Sequence, residues 1–286
     1  MKIAEAGEAW FAALRRRARS ERTIDWYSMW LRDLAGSLML DDVALVRLAD
    51  LRRWVDGLQA RRLSPYSVRG AVATARAFCR WLVAEGILVE DASGRLERPA
   101  LPDRLPQALE TGEVLALLDA AASSKHPARD VALIAFMVET GVRVGELVGL
   151  TLERLHVDAG IAVVVGKRNK QRFVPFNGAA KKTLHAWLAV RPAGLSTVFG
   201  LSRWGVGPLL KRLAVKAQVD PKRIHPHVFR HTSATLRVEA GGETADLAQI
   251  YGWSDEGMIR VYGQLAKERL VKRAAATSPL DRVMGY

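Results

Sequence analysis

The chain has 286 residues, 49% of them hydrophobic, which suits one large domain or two with cores of their own and excludes a disordered or fibrous polymer. Its longest uninterrupted apolar run, Val131–Val138, is far too short to span a bilayer, and Met1-Lys2-Ile3-Ala4-Glu5 lacks an export pattern. Cys79 is the only cysteine, so no intrachain disulfide forms and a reducing compartment, the cytoplasm, is expected. The net charge of +13 points to a polyanionic partner.

In chain order, the spacing of apolar residues predicts an amphipathic helix over Glu8–Arg19 and a second one capped by Thr23, with Trp26, Trp30 and Leu34 on one face. Leu48–Ala60 is a third. Ser64-Pro65 opens a fourth, which turns Val68, Val72, Ala75, Cys79 and Leu82 to one side. Arg69, Arg76 and Arg80 lie on a different side, at offsets of seven and four; that stripe is either a solvated face or a contact with DNA backbone. Asp91–Gln107, with Gly94, Pro99, Pro102 and Pro106, has no helical period and reads as a linker. The expected organisation is a helical domain over 1–92, a linker over 93–107 and a second domain over 108–286, both parts net basic.

Beyond the linker, helices are expected at Thr111–Ala122 and Pro127–Thr140, the latter buried and stopped by Gly141. Ile161–Val165 and Arg172–Phe176 read as strands joined by the polar loop Gly166–Gln171. Further helices follow at Ala179–Val190, Gly205–Ala217, Pro226–Glu239, Glu243–Tyr251 and about Asp255–Leu265. The predicted fold class is therefore mainly α, with a small antiparallel sheet in the second domain. Between Ala159 and Arg230 stand fourteen basic residues and a single acidic one, Asp220, an electrostatic footprint suited to phosphates.

Five motifs in this half carry chemistry. In Thr140-Gly141-Val142-Arg143-Val144-Gly145-Glu146, Arg143 opens a helix, where free N–H groups favour an anion, and Glu146 is placed to orient its guanidinium. A surface ion pair would look the same. The hairpin brings Lys167, Arg168, Lys170 and Arg172 within six positions, as a phosphate contact or as a solvated basic turn. In His225-Pro226-His227-Val228-Phe229-Arg230-His231, proline suits a first helical turn and places His227 and Arg230 on one face. Three histidines also raise a metal site, but no nearby Cys, Asp or Glu completes one. Tyr251-Gly252-Trp253-Ser254 and then Tyr262 finish the set. Two arginines, a lysine, a histidine and a tyrosine are the parts of a metal-free phosphoryl transfer: cationic donors for the phosphorane, an acid for the leaving oxygen and a phenol as nucleophile.

The order Arg, Lys, His-x-x-Arg, His/Trp, Tyr resembles the tyrosine recombinase (phage integrase) family, in a compact Xer-like form. Thr140–Leu150 looks like its first arginine box, Val164–Pro175 its lysine hairpin, Pro226–Thr232 its second box and Tyr251–Tyr262 its third. Arg22–Leu38 and Ser64–Ala92 look like its helical core-binding domain. The resemblance implies that Tyr262 attacks the scissile phosphate to give a 3′-phosphotyrosyl link. Lys167 then protonates the 5′-oxygen, Arg143 and Arg230 stabilise the transition state, His227 accepts or positions the phenol proton, and Glu146 supports Arg143. Arg69, Arg76, Arg80, Arg168, Lys170 and Arg172 are the expected DNA contacts. No cofactor or metal is implied.

The expected partner is double-stranded DNA bearing recombination sites, clamped between the two domains. The expected assembly is a homo-tetramer on DNA that passes through a Holliday junction, monomeric when free and associated with the nucleoid. With so few residues before residue 20, a compact member without an additional arm-binding domain is expected. Trp253 stands where most members carry histidine; its indole N–H is a donor for phosphate but neither acid nor base. Tyr251 and Tyr286 are rival nucleophiles, and His231 reads as a packing or hydrogen-bonding residue. Lys267–Tyr286 is a tail that folds back on its own domain or docks on a neighbouring subunit. A type IB topoisomerase shares this chemistry, and a non-catalytic DNA-binding protein is the reading from a different class.

Overall fold

The computed structural model describes residues 1–38, 41–101, 107–166, 169–253, 261–264 and 266. The chain divides into two units, Met1–Arg104 and Leu105–Tyr286. Among the described residues no helix is long and apolar enough to cross a membrane.

The first unit packs α1 (Ile3–Arg16), α2 (Glu21–Ser37), α3 (Leu48–Ala60) and α4 (Pro65–Ala84) around Trp10, Leu31, Leu51, Leu58, Val72 and Phe78. The start of α2 lies before the expected Thr23: Ser20 is the cap, and its Oγ accepts the Thr23 backbone N–H at 3.3 Å. Ser64 caps α4 in the same way, with Pro65 in the first turn, where its missing N–H costs nothing. Trp30 and Leu34 are buried as their spacing requires, but Trp26 is exposed and leans over Gly70, where a Cβ would stand 2.8 Å from its ring. Leu96 and Ser93 are buried with this unit, so the first part of the expected linker is packed.

The basic stripe on α4 has internal partners. Arg76 donates to the carbonyls of Gly94 and Leu96 at 3.1 and 2.7 Å, and Arg69 to that of Pro99 at 3.2 Å. Both therefore tie down the segment that follows the helix, a role the sequence reading did not assign. Arg80 is exposed, its Nε on the Arg76 carbonyl.

In the second unit α5 (Thr111–Ala122), α6 (Pro127–Thr140), α8 (Gly178–Val190), α9 (Arg203–Lys216) and α10 (Pro226–Ala240) share one core with a three-stranded antiparallel sheet. α6 is its axis: Ala132, Leu133, Ile134, Phe136 and Met137 are all fully buried. The helix stops at Gly141, which takes a left-handed conformation (φ 57°) against the Tyr251 ring, 2.4 Å from where a Cβ would lie. No other residue type meets both conditions. The short α7 (Val144–Val148) follows at once.

The sheet runs β1 (Leu155–His156), β2 (Ile161–Val165) and β3 (Gln171–Pro175), with Val164 opposite Arg172 and Ala162 opposite Val174. The Gly166 N–H closes the hairpin on the Lys170 carbonyl at 2.7 Å. After α10, α11 (Thr244–Tyr251) ends at Gly252 in a left-handed conformation, and residues 261–264 are helical. Most of the helix expected at Asp255–Leu265 lies outside the described residues, as does the tail from Lys267 to Tyr286.

Candidate active site

Glu146 is the hub of the site. It is fully buried in α7, one turn after Arg143, and its Oε2 accepts the Arg143 backbone N–H at 2.8 Å while Oε1 holds the Arg143 guanidinium at 3.0 Å. This is the orienting contact expected of the pair. A second cation completes it: Arg172 of β3 donates to Glu146 Oε2 at 2.7 Å and to the carbonyl of Ile250 near the end of α11. Burial alone would push the Glu146 carboxyl up, but Arg172 and Arg143 outweigh it and hold the group below the usual carboxylate range.

Arg172 was expected among the DNA contacts. Its side chain is only 13% exposed and spans from a buried carboxylate to a backbone carbonyl. The strand alternation holds the signal that would have found it. Arg172 shares a face with Val174, which is buried, whereas Phe173 points to solvent.

Arg230 of α10 is buried and has no carboxylate partner among the described residues. It donates to the carbonyls of Gly141, at 2.9 Å, and Tyr251, and its guanidinium lies 5.1 Å from the centre of the Tyr251 ring. The C-terminal ends of α6 and α11 thus supply its acceptors, where the helix dipole favours a cation. Burial, together with the nearby charges of Arg143 and Arg172, lowers its pKa to about 10. Two guanidiniums share the Glu146 carboxylate and Arg230 stands near them with only carbonyl acceptors, which leaves a local excess of positive charge. Such an excess is unfavourable where it is buried unless an anion joins it.

The aromatic side of the site is a stack. Trp253 lies between Tyr251, at 5.1 Å and 20°, and Tyr262, at 4.8 Å and 10°. Trp253 Nε1 is buried without a partner among the described residues, so stacking is the contact that this indole makes. Tyr251, the rival nucleophile, is fully buried, and its hydroxyl is paired with Ser233 Oγ at 2.7 Å. Tyr262 is also fully buried, and its hydroxyl lies 2.8 Å from His231 Nδ1. Burial and then Tyr251 push the Tyr262 phenol far above its ordinary pKa, Arg230 working against them.

The three histidines between residues 225 and 231 separate cleanly. His225 caps α10, its Nδ1 accepting the Val228 N–H at 3.2 Å, which was not foreseen. His227 is exposed, and burial of part of its ring, with His225, Arg230, Arg143 and Arg203 around it, holds its pKa below the usual value. His231 faces the phenol. Arg203, at the start of α9, approaches Gly145 as well as His227 and was recorded in the sequence only as one of many basic residues.

Lys167 and Arg168 lie outside the described residues. Their neighbour Gly166 packs on the site, where a Cβ would come 3.3 Å from Glu146 Oε1. Lys170 is exposed, as a phosphate contact would have to be.

Residues 107–269 match the phage integrase family, and residues 8–86 match the phage integrase N-terminal SAM-like domain. The chain belongs to the phage integrase family. It is 31% identical over 270 residues to the tyrosine recombinase XerC of Xanthomonas campestris pv. campestris, covering 91% of this chain and 84% of that protein. It is 32% identical over 304 residues to the tyrosine recombinase XerD of Caulobacter vibrioides, covering 98% and 99%. The enzyme is thus an Xer-like tyrosine recombinase, a site-specific DNA recombinase.

Solved structures share the fold. A lambda integrase dimer bound to a COC′ core site superposes with a TM-score of 0.75 at 17% identity, covering 92% of this chain and 77% of that one. The XerH recombinase bound to a palindromic difH substrate gives 0.75 at 19%, covering 93% and 82%.

Proposed function

We propose that this recombinase cleaves and rejoins duplex DNA through Tyr262, with Arg143 and Arg230 binding the scissile phosphate. The observation that carries the reading is the buried Arg230, held by two carbonyls beside Arg143 and with the Tyr262 stack next to it. A phosphate diester is the anion that such a site lacks, and the developing negative charge of its phosphorane strengthens every one of these bonds. The phenol oxygen bonds to phosphorus as its proton passes to His227, and the 5′-oxygen leaves, taking a proton from Lys167. The product is a 3′-phosphotyrosyl link that conserves the energy of the diester, so rejoining requires neither a nucleotide nor a metal.

Glu146 and Arg172 keep Arg143 in place. Arg80, Arg168 and Lys170 contact the DNA backbone, the first from α4 and the others from the hairpin. Two rounds of exchange pass through a Holliday junction within a tetramer assembled on two sites. The free protein is a monomer, cytoplasmic and associated with the nucleoid.

A substrate nicked next to the cleavage position loses its short 5′ fragment on cleavage and traps the covalent complex. Wild-type protein accumulates the adduct. Tyr262→Phe binds the same DNA with unchanged affinity and forms none. A topoisomerase-like activity would relax supercoiled DNA with one site per circle and show no exchange between two sites. The resemblance to XerC and XerD, both recombinases by name, supports exchange.

A further inference from the structure

We propose that His231 holds the nucleophile, its Nδ1 accepting the hydroxyl hydrogen of Tyr262 and so fixing where the phenol oxygen points. The proposal rests on Tyr262 being the nucleophile. The 2.8 Å contact joins α10 to the helical turn at 261–264, which have no sequence proximity. His227, one turn earlier on α10, has no hydrogen bond to the phenol among the described residues and is left free to meet the phosphate and to take the proton that the phenol loses on attack. The two histidines thus divide the work: His227 faces the DNA side, and His231 faces the protein side.

The stack alone does not fix the oxygen. Trp253 lies parallel to the phenol at 4.8 Å and 10°, which sets the plane of the ring but lets it slide and turn within that plane. His231 supplies the missing constraint, its ring 6.4 Å away and tilted by 20°. A neutral imidazole is required for Nδ1 to accept. Burial, followed by the charges of His227, Arg230 and His225, lowers the His231 pKa to about 4, so the ring is neutral at neutral pH. When the O–H donates to Nδ1, its hydrogen points into the protein and the oxygen lone pairs are left for phosphorus. A phenol that loses this direction spends most of its time misaligned. Small misplacements of reacting atoms cost about a hundredfold in rate.

The test uses the full-length protein and the nicked substrate, in single-turnover cleavage at saturating DNA. His231→Leu removes the acceptor and slows adduct formation about a hundredfold, while a gel shift shows unchanged DNA affinity. In His231→Asn the amide oxygen takes the place of Nδ1 without its basicity, and the rate returns to within about tenfold of wild type.

The second arm removes the phenol. In Tyr262→Phe, hydrogen peroxide supplies the attacking oxygen and the same 5′-oxygen leaves. Adding His231→Leu to Tyr262→Phe leaves that peroxide reaction unchanged, because His231 acts only through the phenol. The proposal is overturned if His231→Leu cleaves at the wild-type rate, if His231→Asn is as slow as His231→Leu, or if the peroxide reaction falls with His231→Leu. An adduct formed by Tyr262→Phe would instead overturn the nucleophile itself, which separates the two failures.

Discussion

Arg143, Arg172 and Arg230 stand on one side of the site, each tied by hydrogen bonds to a carboxylate or a carbonyl that fixes its direction. On the other side Tyr262 is held by rings, with Trp253 stacked against it and a single hydrogen bond to His231. The cationic side is built before any DNA arrives, and it carries charge that burial makes expensive. The aromatic side is neutral and dry, with its phenol far from ionisation. The comparison teaches that the work of the reaction is divided. On the proposed mechanism, one side supplies the field that stabilises the phosphorane, and the other keeps the phenol protonated until a phosphate is bound.

Arg230 gives the largest effect by which this division can be broken. Arg230→Ala removes a buried cation that spans the ends of α6 and α11, and cleavage of the nicked substrate falls roughly a thousandfold. Arg230→Lys keeps the charge but cannot reach both carbonyls, and it stays at least about a hundredfold slow. Near-normal cleavage by the lysine variant would mean that charge alone counts and that the fork between Gly141 and Tyr251 does not.

Arg172 and Lys170 sharpen the comparison within the cationic side, since they lie two residues apart on the hairpin but one is inward and one exposed. Arg172→Gln leaves Glu146 with one cation and frees the Ile250 carbonyl. Cleavage drops about a hundredfold, with little change in the salt dependence of binding. Lys170→Gln does the opposite, lowering the slope of log affinity against log salt by about one and sparing the cleavage rate. The exchange of these two results would return Arg172 to the DNA surface.

The smallest effect concerns the aromatic side and pH. His231 has a pKa of about 4 in the folded protein against an ordinary value of 6.5. Between these values the unfolded chain binds a proton that the folded one does not, so stability falls as pH drops from about 6.5 towards 4. Chemical denaturation at a series of pH values shows this slope, and His231→Asn flattens it. An equal slope in both proteins would place the acid sensitivity elsewhere.

Much of this was legible in the sequence because it rests on local pattern. Leu48–Ala60, Pro127–Thr140 and Ile161–Val165 have the bounds that apolar spacing and their glycine and proline neighbours indicate. Arg143 and Glu146 are three residues apart, so their pairing follows from helix geometry. The strand β1 has only two residues and no period to read, and Ser20 and Thr23 offer the same hydroxyl, so sequence alone does not separate them as the cap of α2.

What stayed hidden are contacts between distant segments. Arg172 meets residues 26 and 78 positions away, and His231 meets a tyrosine 31 positions on. A basic residue in a basic loop gives no sign of a buried carboxylate until the sheet alternation is applied to it. His231 reads as a packing or hydrogen-bonding residue, but its partner emerges only when Tyr262 is folded against it.

The most direct measurement is to locate the covalent bond. The adduct trapped on the nicked substrate is digested with a protease and a nuclease, and the nucleotide-bearing peptide is sequenced by mass spectrometry. The account predicts a single modified residue, Tyr262, carrying the nucleotide through its phenolic oxygen. Modification at Tyr251, whose hydroxyl is committed to Ser233, or at Tyr286 would contradict it.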